Sequence, residues 1–162
     1  MPADILTYSC YLPDLGTLVI RERQQKLLSV VWSDDISVEN VVAPPTSQLG
    51  RKLTELLYAY VRGERVHFIN LPLEMTGSIW MQSVLHVVSK IPYGCTMSYG
   101  EVARTLNCPL SSRAVGQALN RNPFCVLIPC HRVIASSGAL TGYVGGLKRK
   151  AYLLQLEKSQ LC

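Results

Sequence analysis

The sequence has no apolar run near the roughly 18–20 residues that a membrane-spanning helix needs, so no such span is expected. None of its six cysteines, Cys10, Cys95, Cys108, Cys125, Cys130 and Cys162, stands in a C-x-x-C pair, and no His-x-x-x-His lies nearby. That argues against a structural zinc site and against a small disulfide scaffold. Met1-Pro2-Ala3-Asp4 lacks a basic segment leading into an apolar stretch, so no secretory signal is expected. Charged residues make up only 17% of the 162 residues and apolar ones 48%, which excludes wholesale disorder and favours a packed core of one domain or two small ones. A soluble intracellular protein with mostly buried, inert thiols is the expectation. The net charge of +5 suits a polyanion partner only loosely, because many basic proteins bind no nucleic acid.

The first part reads as a small α/β unit. Thr17–Ile20 and Lys26–Trp32 are strand-like, with a polar turn around Arg21–Gln25. A loop at Val42–Pro45 precedes Thr46 and Ser47, either of which can cap a helix. Leu49, Leu53, Leu56, Leu57, Tyr60 and Val61 then recur at helical spacing up to Gly63. Val66–Ile69 could form one more strand, and His67 within it reads as structural.

Around Leu73–Gly77 the character changes. Ser78 can cap a helix carrying Ile79, Trp80, Val84, Val87, Val88 and Ile91. Ser98-Tyr99-Gly100-Glu101 has the form of a capping box, with Val102, Ala103 and Leu106 following on one face. After Asn107-Cys108-Pro109, Ser111 or Ser112 can cap another helix, with Val115, Ala118 and Leu119 facing inward. Two short helices joined by a tight turn suit a helix-turn-helix, and equally an ordinary helical hairpin in a core. The mid-helix Gly116 beside Ala114 and Arg113 permits close approach, either to a DNA groove or to another helix. Phe124–Ile128 is an apolar run suited to a buried strand, and it leads directly into Pro129-Cys130-His131-Arg132-Val133. The last helix, Leu147–Lys158, is expected to turn Leu147, Ala151 and Leu154 to one face. Lys148, Arg149 and Lys150 in its first turn would be either a solvated basic face or a contact with phosphate.

A cysteine at the end of a buried strand, followed by His and Arg, suits an activated thiol, because adjacent cationic or basic groups raise the thiolate fraction. On these residues alone a thiol protease or hydrolase fits as well as a transferase.

Pro129-Cys130-His131-Arg132-Val133-Ile134 closely resembles the active-site motif of the O6-alkylguanine-DNA alkyltransferases. Ile91-Pro92-Tyr93-Gly94, Ser98-Tyr99-Gly100-Glu101, Arg113-Ala114-Val115-Gly116, Asn122-Pro123, Leu140-Thr141-Gly142-Tyr143 and Leu153-Leu154-Gln155-Leu156-Glu157 match that family in order and spacing. The resemblance covers about residues 77 to 158, and the N-terminal half matches only in outline. It implies an α/β domain over 1–76, a small antiparallel sheet plus helix of RNase H-like form. A mainly α domain over 77–162 would follow, with a winged helix-turn-helix-like motif that binds DNA and transfers the alkyl group.

The resemblance also implies roles. Cys130 would accept the alkyl group from O6 of guanine, or O4 of thymine, irreversibly and once per molecule. His131 would be its base through a water, held by Glu157, while Asn122 would shape the active-site turn. Tyr99 would donate to the departing guanine. Arg113 would fill the gap left by the flipped nucleotide, with Ala114, Gly116, Ser112, Ser98 and Ser136 against DNA or base. Tyr143, Val144 and Val133 would line the alkyl pocket. No cofactor or metal is implied, the partner is duplex DNA carrying O6-alkylguanine, and the protein would act as a monomer, with cooperativity on DNA left open. Its location would be cytoplasmic, or nuclear in a eukaryote.

Departures from the family are few. Relatives more often carry Phe at the Trp80 position and Trp at the Leu85 position, an exchange of bulky core residues. Val144 stands where some relatives have a serine near the base, and Ser111 and Ser112 stand where alanines are common. Cys10, His67 and His86 do not make the four-ligand zinc site that some relatives have. The nearest alternative is a noncatalytic alkyltransferase-like protein that binds lesions, although such proteins typically lack the acceptor cysteine. A thiol hydrolase, which would turn over, and a sequence-specific helix-turn-helix regulator are the other rivals.

Overall fold

The computed structural model describes residues 4–34 and 44–160. Met1–Ala3, Val42, Ala43 and Cys162, on which some sequence expectations fell, lie outside the described residues. The chain divides into two compact units, Met1–Met75 and Thr76–Cys162.

The first unit is a meander of three antiparallel strands, β1 (Leu6–Leu12), β2 (Gly16–Arg23) and β3 (Lys26–Ser33), with helix α1 (Gln48–Val61) against it. Gln24 and Gln25 alone make the β2–β3 turn, both at positive φ (50° and 59°), which is the geometry that follows strand twist. The turn is thus shorter than expected, and β2 runs through Arg21 and Glu22. Tyr8, Cys10 and Leu12 of β1 alternate into a core shared with Leu18, Ile20, Leu27 and Val30, which Leu53, Leu57 and Tyr60 of α1 close. Ser47 caps α1, its Oγ accepting from Gly50 N at 2.8 Å.

Val66–Ile69 does not form the expected strand. The backbone turns there, Leu71 N donating to Phe68 O at 3.0 Å. The edge of β3 is met instead by Leu73, through bonds from Leu27 N to Pro72 O and from Glu74 N to Leu27 O, both 2.8 Å. Phe68 is buried edge-on against Tyr60, while Ile69 is exposed, so the apolar run serves one plug residue and no sheet face.

Gly50 sits where no side chain fits. An added Cβ would lie 2.6 Å from the Tyr8 hydroxyl and 2.7 Å from Pro45 Cβ. The Tyr8 hydroxyl cannot simply retreat, because it donates to the buried Glu22 carboxylate at 2.8 Å. Gly50→Ala is therefore expected to destabilise the protein by about 1–3 kcal/mol, read from the thermal midpoint. An unchanged midpoint would mean that Tyr8 or Pro45 yields freely.

The second unit packs helices α2 (Ile79–Ser89), α3 (Tyr99–Thr105) and α4 (Ser112–Leu119) on one another, adds a two-residue parallel pair of β4 (Met97–Ser98) with β5 (Val133–Ile134), and ends in α5 (Leu147–Ser159). Ser78 caps α2. The capping box opens α3: Glu101 N donates to Ser98 Oγ at 3.1 Å, and Ser98 N donates to Glu101 Oε2 at 2.6 Å. Asn107, at φ 58°, takes the left-handed conformation that ends α3 and turns the chain toward α4. Ser111 occupies the N-cap of α4 but makes no side-chain cap bond. Its ψ of 22° is not the extended geometry that aims the oxygen at the first amides.

Two further expectations are corrected. Phe124–Ile128 is buried, yet it is a turn and not a strand: Ile128 N donates to Phe124 O at 2.9 Å and Val126 lies at φ 70°. The five apolar side chains are enclosed from several sides, which a flat strand face would not achieve. On α5, the buried face is Lys150, Leu153 and Glu157, whereas Leu147 is 49% exposed and Ala151 is also on the outside. Polar residues take the inward positions because they have partners there.

Candidate active site

The buried turn delivers Cys130 to the start of a single 3-10 turn, Cys130–Arg132, that runs directly into β5. Asn122, just after α4, ties this segment together. Its Nδ2 donates to Ile128 O at 3.0 Å and to Cys130 Sγ at 3.2 Å, while its Oδ1 accepts from Phe124 N at 3.0 Å. Val126 is held in a left-handed conformation that costs a β-branched residue about 1–3 kcal/mol, so the surrounding bonds over-determine the turn.

His131 and Arg132 are both buried and both reach Glu157 of α5. His131 Nε2 meets Glu157 Oε1 at 2.8 Å. Arg132 donates from Nε at 2.9 Å to Oε2 and from Nη2 at 2.8 Å to Oε1, and its Nη1 donates to Ile91 O at 2.6 Å. Gly94 N adds a bond to Glu157 Oε2 at 3.2 Å. Burial alone would raise the Glu157 carboxyl, but the bonds from His131 and Arg132 and the Arg132 charge outweigh it and hold the group well below the usual carboxylate range. Burial drives the His131 imidazole down despite Glu157, so it is neutral at pH 7. Against an ionised, acceptor-only carboxylate, Nε2 carries the proton and Nδ1 is the basic nitrogen.

Cys130 is not the low-pKa thiol that its neighbours suggested. Burial pushes it up to about 11, although Asn122, the Lys150 charge and the backbone amides of Cys130 and His131 all favour the thiolate. The resting site therefore holds a neutral thiol, with donors arranged to receive charge once it forms. Because the folded thiol titrates near 11 against an ordinary 9.0, its contribution to stability is complete below pH 9. About 3 kcal/mol should be lost as pH rises from 9 to 11. Cys130→Ala should show a shallower fall in thermal midpoint over that range, and parallel curves would refute the high thiol pKa.

Cys130 opens on a cavity of about 10 Å³, walled by Tyr99, Gly142, Tyr143 and Val144 and by Gly116, Leu119 and Asn120 at the end of α4. That is room for roughly one water-sized group. An added Cβ at Gly116 would make ordinary contact with the Tyr99 ring at 3.7 Å, so the missing side chain keeps this wall shallow. The Tyr99 hydroxyl donates to Thr141 O at 2.8 Å, and burial is the main cause of its raised pKa. The rings of Tyr143 and His131 meet edge to face at 6.4 Å. Val144 is 46% exposed at the cavity mouth. Val133, expected in the lining, is fully buried and is not part of it; its carbonyl faces Lys150.

The remaining expected residues lie outside the cavity. Arg113 is exposed on the first turn of α4, beside the half-buried Ser112 and Ala114. Trp80 spans from α2 to donate its Nε1 to Ala114 O at 3.3 Å, while Leu85 is fully buried. Ser98 spends its hydroxyl on the α3 cap, and Ser136 is exposed in the turn after β5.

Two residues of the cluster were not foreseen in their positions. Arg132 faces inward as the cation of Glu157. Lys150 is neither solvated nor on the outer face: it is fully buried and donates to three carbonyls. The signal for Lys150 was its spacing from Leu153 and Glu157, three and seven residues along one helix stripe.

Residues 80–159 match the family model for the DNA-binding domain of 6-O-methylguanine DNA methyltransferase. The chain is 46% identical over 109 residues to the methylated-DNA–protein-cysteine methyltransferase of Methanosarcina acetivorans, covering 67% of this chain and 69% of that protein. It is 34% identical over 155 residues to the Haemophilus influenzae protein of that name, covering 94% and 87%. With the Mycobacterium leprae protein it shares 49% identity over 105 residues, and the match spans 63% of that relative's length. The Mycobacterium tuberculosis O6-methylguanine methyltransferase structure superposes with a TM-score of 0.84 at 35% identity, covering 97% of this chain and 94% of that one. The structure of Mycobacterium tuberculosis OGT in complex with DNA gives 0.84 at 36%, covering 95% and 93%. The chain belongs to the methylated-DNA–protein-cysteine methyltransferase family, and its small antiparallel sheet with helices is the architecture of those structures.

Proposed function

We propose that this protein repairs DNA by transferring an alkyl group, chiefly methyl, from O6 of guanine, and also from O4 of thymine, to Cys130. The observation that carries the reading is a thiol at the wall of a small cavity, held by Asn122, with His131, paired to Glu157, next to it in sequence and Tyr99 across the cavity. His131, neutral and basic at Nδ1, takes the thiol proton through a water. The sulfur electron pair forms the S–C bond while the C–O6 bond breaks, its electrons passing to the guanine. Tyr99 hydrogen-bonds the departing base, a poor leaving group as an anion, and the proton lost by sulfur ends on guanine. The products are guanine and a thioether, which water does not cleave, so each molecule acts once. The step balances without cofactor or metal.

The substrate base lies inside a stacked duplex, so it is flipped out at a cost of a few kcal/mol. Arg113, exposed at the start of α4, fills the vacated stack, with Ser112, Ala114, Gly116, Ser98 and Ser136 near the backbone or base. On this reading residues 77–162 form the DNA-binding and alkyl-transfer domain, α3 and α4 acting as a winged helix-turn-helix, and residues 1–76 form an RNase H-like domain. The structure of the Mycobacterium tuberculosis relative in complex with DNA supports DNA as the partner. The protein works as a monomer in the compartment that holds the DNA, and among the described residues no helix is long and apolar enough to cross a membrane.

The test is intact-protein and peptide mass spectrometry after incubation with duplex DNA containing O6-methylguanine. One methyl group per protein, mapped to Cys130, is expected. Lesion binding without methyl gain would overturn transfer in favour of a noncatalytic lesion-binding protein, and neither binding nor gain would overturn the whole reading.

A further inference from the structure

Resting on this reading, a stoichiometric problem arises at Tyr99. A phenol has one proton to donate. At rest Tyr99 gives it to Thr141 O at 2.8 Å, with Gly142 O also near at 3.4 Å. To bond the departing base, the hydroxyl has to leave these carbonyls.

Lys150 donates to the same two carbonyls. It is fully buried in the first turn of α5, where the helix dipole disfavours a cation, and among the described residues no carboxylate pairs with it. Its ammonium has three N–H groups, and it meets three oxygens: Val133 O at 2.6 Å, Thr141 O at 2.8 Å and Gly142 O at 3.1 Å. The ammonium also lies 5.8 Å from the centre of the Tyr99 ring.

We infer that Lys150 is a positioning residue that shares the acceptors of Tyr99, so that the tyrosine hydroxyl can pass from Thr141 to the substrate base without leaving those carbonyls unpaired. The same ammonium anchors the cavity wall to β5, the strand directly after the nucleophile. Lys150 touches neither the lesion nor the reacting atoms, and its effect on the reaction passes through Tyr99.

The test is a double-mutant cycle on the single-turnover rate of methyl transfer from O6-methylguanine duplex, with the folded state of each variant checked by its melt. Lys150→Met should slow transfer by about five- to tenfold in the wild-type background, where release of Tyr99 now strands a carbonyl. In a Tyr99→Phe background, with no hydroxyl to hand over, the same change should cost less than about twofold. A merely structural lysine would cost the same in both backgrounds, and that result overturns the inference. If Lys150→Met does not fold, Lys150→Arg keeps the charge but presents a planar fork, and the same dependence on background is expected with a smaller loss. Wild-type protein that takes up no methyl group overturns the function itself. Normal wild-type transfer with equal losses in both backgrounds overturns only the role of Lys150.

Discussion

Cys130→Ala protein is expected to bind duplex DNA containing O6-methylguanine and to leave every methyl group where it was. Removing the nucleophile removes the only group that the proposed chemistry alkylates, so the single-turnover rate should fall by orders of magnitude, as it does when other covalent enzymes lose theirs. The fold should survive at neutral pH. Asn122 loses its bond to sulfur but keeps Ile128 O and Phe124 N as partners, and the turn it shapes does not depend on the thiol. The variant would then be a stable trap for the lesion, with binding that depends on the damaged base and little on flanking sequence. Mass spectrometry of the variant decides the matter. Methyl transfer to the exposed Cys95 or to the buried Cys125 at an undiminished rate would remove Cys130 from the mechanism.

Glu157→Gln should be the most destabilising single change at the site. The amide cannot replace a carboxylate that takes bonds from Arg132 Nε and Nη2, His131 Nε2 and Gly94 N at once. It leaves the buried guanidinium of Arg132 without a countercharge. Breaking one side of such a pair costs about 3–5 kcal/mol, which for a chain of this size lowers the thermal midpoint by about 10 °C. The pH dependence has a definite sign. The folded carboxyl titrates below its ordinary 4.5, so its stabilisation is present above that pH and is lost as the solution is acidified. The gap between wild type and Glu157→Gln should therefore be widest near neutrality and narrow below about pH 4. A constant gap from pH 3 to 7 would mean that the carboxylate charge is not what matters. Adding Arg132→Met to Glu157→Gln should recover part of the loss, because the uncompensated charge goes with it.

Much of this was legible in the chain, and the exceptions share a cause. Ser47, Ser78 and the Ser98–Glu101 box start helices by local chemistry, so three to four residues carried the information. Of the residues singled out between Asn122 and Glu157, Asn122 bonds Cys130, Tyr143 walls its cavity and Glu157 holds His131 beside it, whereas Ser136 is exposed and Val133 is not in the cavity lining. Strand β1 was missed even though Tyr8, Cys10 and Leu12 alternate, because its remaining positions are too mixed to make the period stand out. The Phe124–Ile128 run misled for the opposite reason: burial from all sides looks the same in sequence whether the backbone is extended or turned. Lys150 was hidden because charge is ordinarily read as surface. Only the carbonyls of Val133, Thr141 and Gly142, brought there by separate segments, make its burial tolerable.

The placement of Lys150 and Glu157 on α5 has a consequence for biosynthesis. A ribosome makes Asn122, Cys130, His131 and Arg132 before it makes the helix that carries Lys150 and Glu157. Until α5 has emerged and docked, Arg132 lacks its carboxylate, His131 its anchor and the cavity wall its ammonium. On the proposed function, the site is complete only when the chain has been translated past Glu157, so a thiol spent in one reaction would meet its partners only in molecules that have folded around it.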